Sequence, residues 1–163
     1  MGINKILVAI DGSQNSRRTI DYVAAIIKDC PWFTVKLLYI EQSPDRDFFP
    51  DDDAWKQACV KRRQEMHAFL SESQQMLIQK GVAPENVQTD YIESCHSPLG
   101  ETPRYCSQGN SIALDILNIV KQEGFKTVAI GRRGVSKAEE FMFGSVSNKI
   151  IHAGRDFTLW VIQ

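Results

Sequence analysis

The sequence predicts an α/β domain built on a parallel sheet, and three observations carry that expectation. Short β-branched and apolar runs alternate with segments of helical periodicity along the whole 163-residue chain. The first run, Ile6-Leu7-Val8-Ala9-Ile10, is almost continuously apolar, as suits a central strand covered on both faces. The third observation is Gly131-Arg132-Arg133-Gly134 followed by Phe143-Gly144-Ser145-Val146-Ser147, a glycine-rich loop set between a strand and a helix. Such a loop can cradle phosphates on backbone N–H groups.

The elements follow in order. Asp11-Gly12-Ser13 ends the first strand, and a helix is expected over about 16–29, with Ile20, Val23, Ala24 and Ile27 on one face and Pro31 as its stop. A second strand covers 34–40, with Val35, Leu37, Leu38 and Tyr39. The stretch 41–53 holds two prolines and five aspartates and belongs on the surface. A long helix over about 54–80 should bury Cys59, Met66, Phe69, Leu70 and Leu77, and Gly81 should end it. Lys61-Arg62-Arg63 reads as its solvated face. A third strand spans 87–92. The segment 93–109, broken by Pro98, Gly100 and Pro103, is longer than a strand-to-helix connection requires. Its centre, about 94–108, looks like an insertion with a functional or regulatory task. A helix over 111–123 presents Ile112, Ile116, Ile119 and Val120, and Gly124 stops it. The fourth strand is Thr127-Val128-Ala129-Ile130. After the glycine loop, a fourth helix from Ser145 to about Ala153 carries Val146, Ile150 and Ile151, and a last strand runs from 157 to 162. One domain over 1–163 accommodates all of this.

Composition sets limits on function. With 43% apolar residues and a net charge of -1, the chain can bury one sizeable core without staples or metal. That charge balance weighs against nucleic acid or an anionic membrane as the main partner. No apolar run is long enough to span a membrane. Asp11 interrupts the first apolar run too soon for a signal peptide, and Ile6 stands where a myristoylated Gly2 would call for Ser or Thr. The expected location is the cytoplasm. Cys30 and Cys59 are expected to be reduced and partly buried. Cys95 and Cys106 share the insertion with His96 and read as plain loop residues, ahead of a redox-sensitive pair or a zinc site, which needs about four ligands. His67, His96 and His152 read as structural or surface residues.

The chemistry concentrates at the glycine loop. Gly131, Gly134 and Gly144 leave the backbone bare where a ligand would approach, and Ser145 and Ser147 add hydroxyls to the free N–H groups of a helix start. The spacing fits neither Walker A nor the dinucleotide fingerprint. Glycines also end strands and cap helices, so the spacing alone leaves a structural loop open beside a phosphate site. In parallel sheets, ligands bind beyond the carboxyl ends of the strands where the order reverses. Asp11 and Gly131 would meet there if strands one and four are neighbours.

With these residues in place, the chain resembles a universal stress protein domain of the nucleotide-binding kind. The family's phosphate motif is Gly, two residues, Gly, nine residues, Gly, then Ser or Thr, and Gly131, Gly134, Gly144 and Ser145 fill its fixed positions. Ala9-Ile10-Asp11-Gly12-Ser13, Leu38-Tyr39-Ile40 and the last strand after Gly154 extend the match over nearly the whole chain, apart from the insertion. The resemblance implies a three-layer, doubly wound, Rossmann-like parallel sheet of five strands in the order 3-2-1-4-5. It implies ATP as ligand, with AMP as an alternative, and magnesium or manganese accompanying the nucleotide. By the same resemblance, Ala9 contacts the base through its backbone, Ile40 packs on adenine, and Asp11 lies near the ribose and the metal. Ile130 and Gly131 line the ribose side, and Gly134, Gly144, Ser145, Val146 and Ser147 surround the phosphates. Tyr39 stands where many relatives have histidine and reads as packing, ahead of the alternative that its hydroxyl reaches the pocket rim. Arg132 and Arg133 either grip phosphate or face water beside Glu139 and Glu140.

Three functions remain in view: an ATP-binding stress protein acting as a switch or accessory factor, a slow ATPase, and an interaction module with a vestigial nucleotide site. The last strand, 157–162, falls at a sheet edge in the implied order, and relatives join two copies there, so a homodimer is expected.

Overall fold

The first apolar run forms β1 (Lys5–Ala9), in which Ile6, Leu7 and Val8 are fully buried. Successive side chains of a strand point to opposite faces, so Ile6 and Val8 enter the core on one side of the sheet and Leu7 the core on the other. The computed structural model describes residues 4–100, 105–132 and 145–163. β2 (Thr34–Ile40), β3 (Val87–Ile92), β4 (Thr127–Gly131) and β5 (Thr158–Ile162) complete a five-stranded sheet ordered β3-β2-β1-β4-β5. All adjacent pairs are parallel. The order reverses beside β1, so a crevice opens where the carboxyl ends of β1 and β4 diverge toward different connections.

Helices α1 (Gln14–Ile27) and α2 (Asp52–Gln79) cover one face, burying Ile20, Val23, Leu70 and Leu77 against Val8 and Leu37. Helices α3 (Ile112–Glu123) and α4 (Ser145–Ala153) cover the other, where Ile116, Ile119 and Ile150 meet Leu7, Leu38 and Val128. The stripe expected on α2, Cys59, Met66, Phe69, Leu70 and Leu77, is buried throughout. In α4, Ile150 is buried but Ile151 is exposed.

Two helices begin earlier than periodicity indicates, and capping explains both. Ser13 accepts from the Ser16 N–H at 3.3 Å, which starts α1 at Gln14. Asp51 accepts from the Ala54 N–H at 2.7 Å, and Asp52 and Asp53 occupy the first turn of α2, where the helix dipole favours carboxylates. The end of the acidic stretch is thus a helix start and not surface loop.

β5 closes the sheet with Leu159, Trp160, Val161 and Ile162 all half-buried. Trp160 meets Tyr22 of α1 edge-on, with ring centroids 6.2 Å apart.

Candidate functional site

The turn after β1 holds a carboxylate in place. Asp11 Oδ1 accepts from the Ser13 N–H at 3.0 Å and from the Ser16 hydroxyl at 2.8 Å, while the Asp11 N–H donates to Ser16 Oγ at 2.9 Å. Gly12, with φ 82°, supplies the left-handed step that this tight turn demands. Gly131 has a different task. A Cβ there would lie 2.8 Å from the backbone carbonyl of Asn15, so the bare end of β4 lets the first turn of α1 pass against it.

A cavity of about 270 Å³ opens beyond the carboxyl ends of β1, β2 and β4. Ile40, Ile112, Ile116, Ile130 and Val146 give it an apolar wall on the α3–α4 side; Asp11, Ser16, Tyr39 and Arg62 give it a polar flank on the α1–α2 side. Ser145 and Ser147 bring the start of α4 into the same space. Of the residues singled out from sequence, Ala9, Asp11, Ile40, Ile130, Gly131, Ser145, Val146 and Ser147 all line this cavity. Gly134 and Gly144 lie outside the described residues, as do Arg133, Glu139 and Glu140. The Arg132 N–H donates to the Ile162 carbonyl at 2.8 Å, which ties the end of β4 to β5.

The basic triplet of α2 is not a uniform solvated face. Lys61 is exposed and sits 4.0 Å from Glu65 one turn on. Arg62 lines the cavity. Arg63 turns inward to a buried acid, because Glu41, although it opens the polar stretch after β2, is only 5% exposed. Arg63 grips it with Nε and Nη2 at 3.0 and 3.2 Å, and the Tyr91 hydroxyl donates to it at 2.7 Å. The expectation that residue 41 lies on the surface therefore fails, for a physical reason: a carboxylate can be buried when a guanidinium and a hydroxyl satisfy its oxygens. Burial and the Glu41 hydrogen bond push the Tyr91 phenol far above its ordinary value. Burial likewise raises Tyr39, while the Arg62 guanidinium beside it pulls the other way. Tyr39 is both packing and cavity lining, since its ring is 5.1 Å from that of Tyr91. His67 stacks on Tyr91 at 4.2 Å, and His96 and His152 are exposed.

Cys95 and Cys106 are not plain loop residues. They form a disulfide, with Cα atoms 5.1 Å apart, whereas Cys30 and Cys59 are free. Proximity in an irregular segment carries no periodic signature, so the pairing has no sequence signal beyond the shared loop. Among the described residues, no group of three or more His, Cys, Asp or Glu side chains is placed to hold a metal ion. No helix among them is long and apolar enough to cross a membrane.

The model of the universal stress protein family matches residues 2–155. The chain is 25% identical over 154 residues, 90% of either protein, to the universal stress protein YxiE of Bacillus subtilis. A universal stress protein structure from Lactobacillus plantarum superposes with a TM-score of 0.69 at 15% identity, covering 99% of this chain and 98% of that one. A universal stress protein of Archaeoglobus fulgidus in complex with dAMP superposes with a TM-score of 0.62 at 16% identity over 100% of both chains.

Proposed function

Because the chain belongs to the universal stress protein family, we propose that its cavity binds an adenine nucleotide and that the protein works as a nucleotide-dependent switch or accessory factor. One observation carries this reading: an apolar wall, a fixed carboxylate and the start of a helix open into a single cavity at the switch point of the sheet. Adenine would lie on Ile40, Ile112 and Ile116. The ribose would reach Asp11. The phosphates would meet the first turn of α4, where backbone donors and the Ser145 and Ser147 hydroxyls gather. The dAMP complex of the Archaeoglobus relative supports the ligand class.

ATP is the nucleotide favoured here, and AMP uses the same contacts. Asp11 is the one carboxylate in the lining among the described residues, which suits magnesium or manganese, an ion that a single carboxylate and the ligand's own phosphates can hold together. The metal would screen phosphate charge. The lining contains no histidine among the described residues, which favours holding the nucleotide over turning it over.

Isothermal titration with ATP, AMP and adenosine, with and without magnesium, tests this reading. Saturable binding of a nucleotide is expected. Ser145→Ala should weaken nucleotide binding by about fivefold, the equivalent of one hydrogen bond beside backbone donors that remain, and should leave adenosine nearly unchanged. Absence of adenine-nucleotide binding under every condition would defeat the proposal.

The edge strand supports pairing of two copies. The Thr158 N–H donates to Lys126 O and Ile162 O accepts from the Arg132 N–H, so the even-numbered residues of β5 face β4. Leu159 and Val161 then present their backbone groups outward. A second β5 can extend the sheet across a two-fold axis. Sedimentation at micromolar concentration should show a dimer, and Val161→Pro should shift it toward monomer by removing an outward donor without touching the ladder to β4. A monomeric wild-type protein would exclude this assembly.

A further inference from the structure

Two arms of the chain, residues 93–97 and 105–109, meet beside the cavity and are joined covalently. Ser94 and Ser107 form an isolated parallel bridge, in which the Cys95 N–H donates to Ser107 O and the Ser107 N–H to Glu93 O, each at 2.8 Å. The Cys95–Cys106 disulfide sits on that bridge. Polar contacts run from it in two directions. Ser97 Oγ accepts from Arg63 Nη2 at 3.1 Å, and Glu93 lies 3.5 Å from the same guanidinium, which ties one arm to α2 next to Arg62. The Ser107 hydroxyl donates to Asp115 Oδ2 at 2.6 Å, which ties the other arm to the first turn of α3, between Ile112 and Ile116. Arg62, Ile112 and Ile116 all line the cavity. The joined arms therefore brace cavity-lining helices from both layers of the fold.

Both cysteines are half-buried and not enclosed, and the Gln108 side-chain amide donates to Cys95 Sγ at 3.2 Å. A donor aimed at that sulfur favours it as a leaving thiolate.

We propose that Cys95–Cys106 is a thiol–disulfide exchange site, opened by a dithiol reductant, whose state sets the nucleotide affinity of the cavity. The second half of this inference rests on the nucleotide reading given above. In the exchange, a thiolate of the dithiol attacks one cysteine sulfur, a mixed disulfide forms and the other cysteine leaves as a thiolate. The second thiol of the reductant then attacks the mixed disulfide, so the reductant's own disulfide forms as the mixed disulfide breaks and the attacked cysteine is released as the second thiolate. Two electrons pass to the protein, and the two thiol protons of the reductant end on Cys95 and Cys106. Without the bond the arms regain conformational freedom, and the contacts of Ser97 with α2 and Ser107 with α3 are no longer enforced. A nucleotide must then order its own walls, so the reduced form binds more weakly.

The test uses the full chain, oxidised, with dithiothreitol as the probe in native buffer. Alkylation and intact mass should show two thiols beyond Cys30 and Cys59, with circular dichroism unchanged. ATP affinity measured by titration should fall by about tenfold, an ordinary size for coupling between sites. Deuterium uptake should rise at amides 94–97 and 112–116. A Cys95→Ser/Cys106→Ser variant should bind like the reduced protein and ignore the reductant. Release of the thiols only in denaturant that unfolds the chain would overturn the exchange site. Equal affinity of the oxidised, reduced and doubly substituted proteins would overturn its control of the cavity. If no form binds an adenine nucleotide, the nucleotide reading falls with that control, while the thiol count in native buffer still decides the exchange site, and unchanged uptake after reduction overturns the loosening of the two arms.

Discussion

Arg63→Ala is expected to lower the free energy of unfolding by about 3 kcal/mol, a large share of what holds a domain of this size together. The substitution does more than remove an exposed pair. Glu41 is 5% exposed, and after loss of the guanidinium its carboxylate keeps, among the described residues, the Tyr91 hydroxyl as its one side-chain partner. A buried charge with one partner is strained toward water, and the ends of β2 and β3 must open to let water reach it. Arg63 also joins Ser97 and Glu93 to α2, so the damage spreads to the 93–97 arm. Urea unfolding monitored by circular dichroism measures the loss. The double variant Glu41→Leu/Arg63→Met should recover much of it, because apolar residues of similar volume need no partner. A loss below about 1 kcal/mol for Arg63→Ala would mean that the pair behaves as a solvated one.

Gly131→Val should impair both folding and binding. An added Cβ already meets the Asn15 backbone at 2.8 Å, and the two γ-methyls of valine deepen the clash. Relief requires the first turn of α1 to move, at a cost of about 2 kcal/mol. That turn also contains Ser16, whose hydroxyl holds Asp11 in the cavity. Displacement of Ser16 removes one of the hydrogen bonds that orient the carboxylate and shifts the turn that carries it, so adenine-nucleotide affinity should drop by well over tenfold, in the range of losing several oriented contacts at once. Gly131→Ala should do the same more mildly. A folded Gly131→Val protein with wild-type affinity would show that the ligand does not depend on this end of β4.

The parts of the molecule that obey a period are legible in the amino-acid sequence alone. β1 and the buried faces of α1 and α2 follow from runs and spacings that admit few alternatives, such as Ile20, Val23, Ala24 and Ile27. The cavity residues Asp11 and Gly131 are legible because parallel sheets put ligands at such strand ends and the glycine spacing marks the place, whereas Ile40 is reached only through the family resemblance. Arg63 escapes a reading by residue type for an instructive reason. It occupies the same helical spacing as the buried stripe, four residues after Cys59 and three before Met66, yet its charge argues for solvent against its position. The position prevails, because the acid that makes an inward arginine tolerable lies in a different segment. Arg62, at the border of that stripe, is hidden with it. The Cys95–Cys106 bond is illegible because the path of an irregular segment is set by individual contacts such as Ser107 with Asp115, which leave no repeat in the chain.

The cavity draws its lining from residue 9 through residue 147, so no fragment of the chain carries it whole. A molecule seated there fastens strand ends and helices from both layers at once, and it can stay bound only while nearly the entire domain is folded. Ligand and fold then share one equilibrium. At a hundred times its dissociation constant, a ligand of the native state adds about 2.7 kcal/mol to stability, enough to cut the unfolded population roughly a hundredfold. With the proposed nucleotide as that ligand, the lifetime of the polypeptide against proteases would read out the nucleotide pool: the chain would persist where the ligand is plentiful and be cleared where it is scarce.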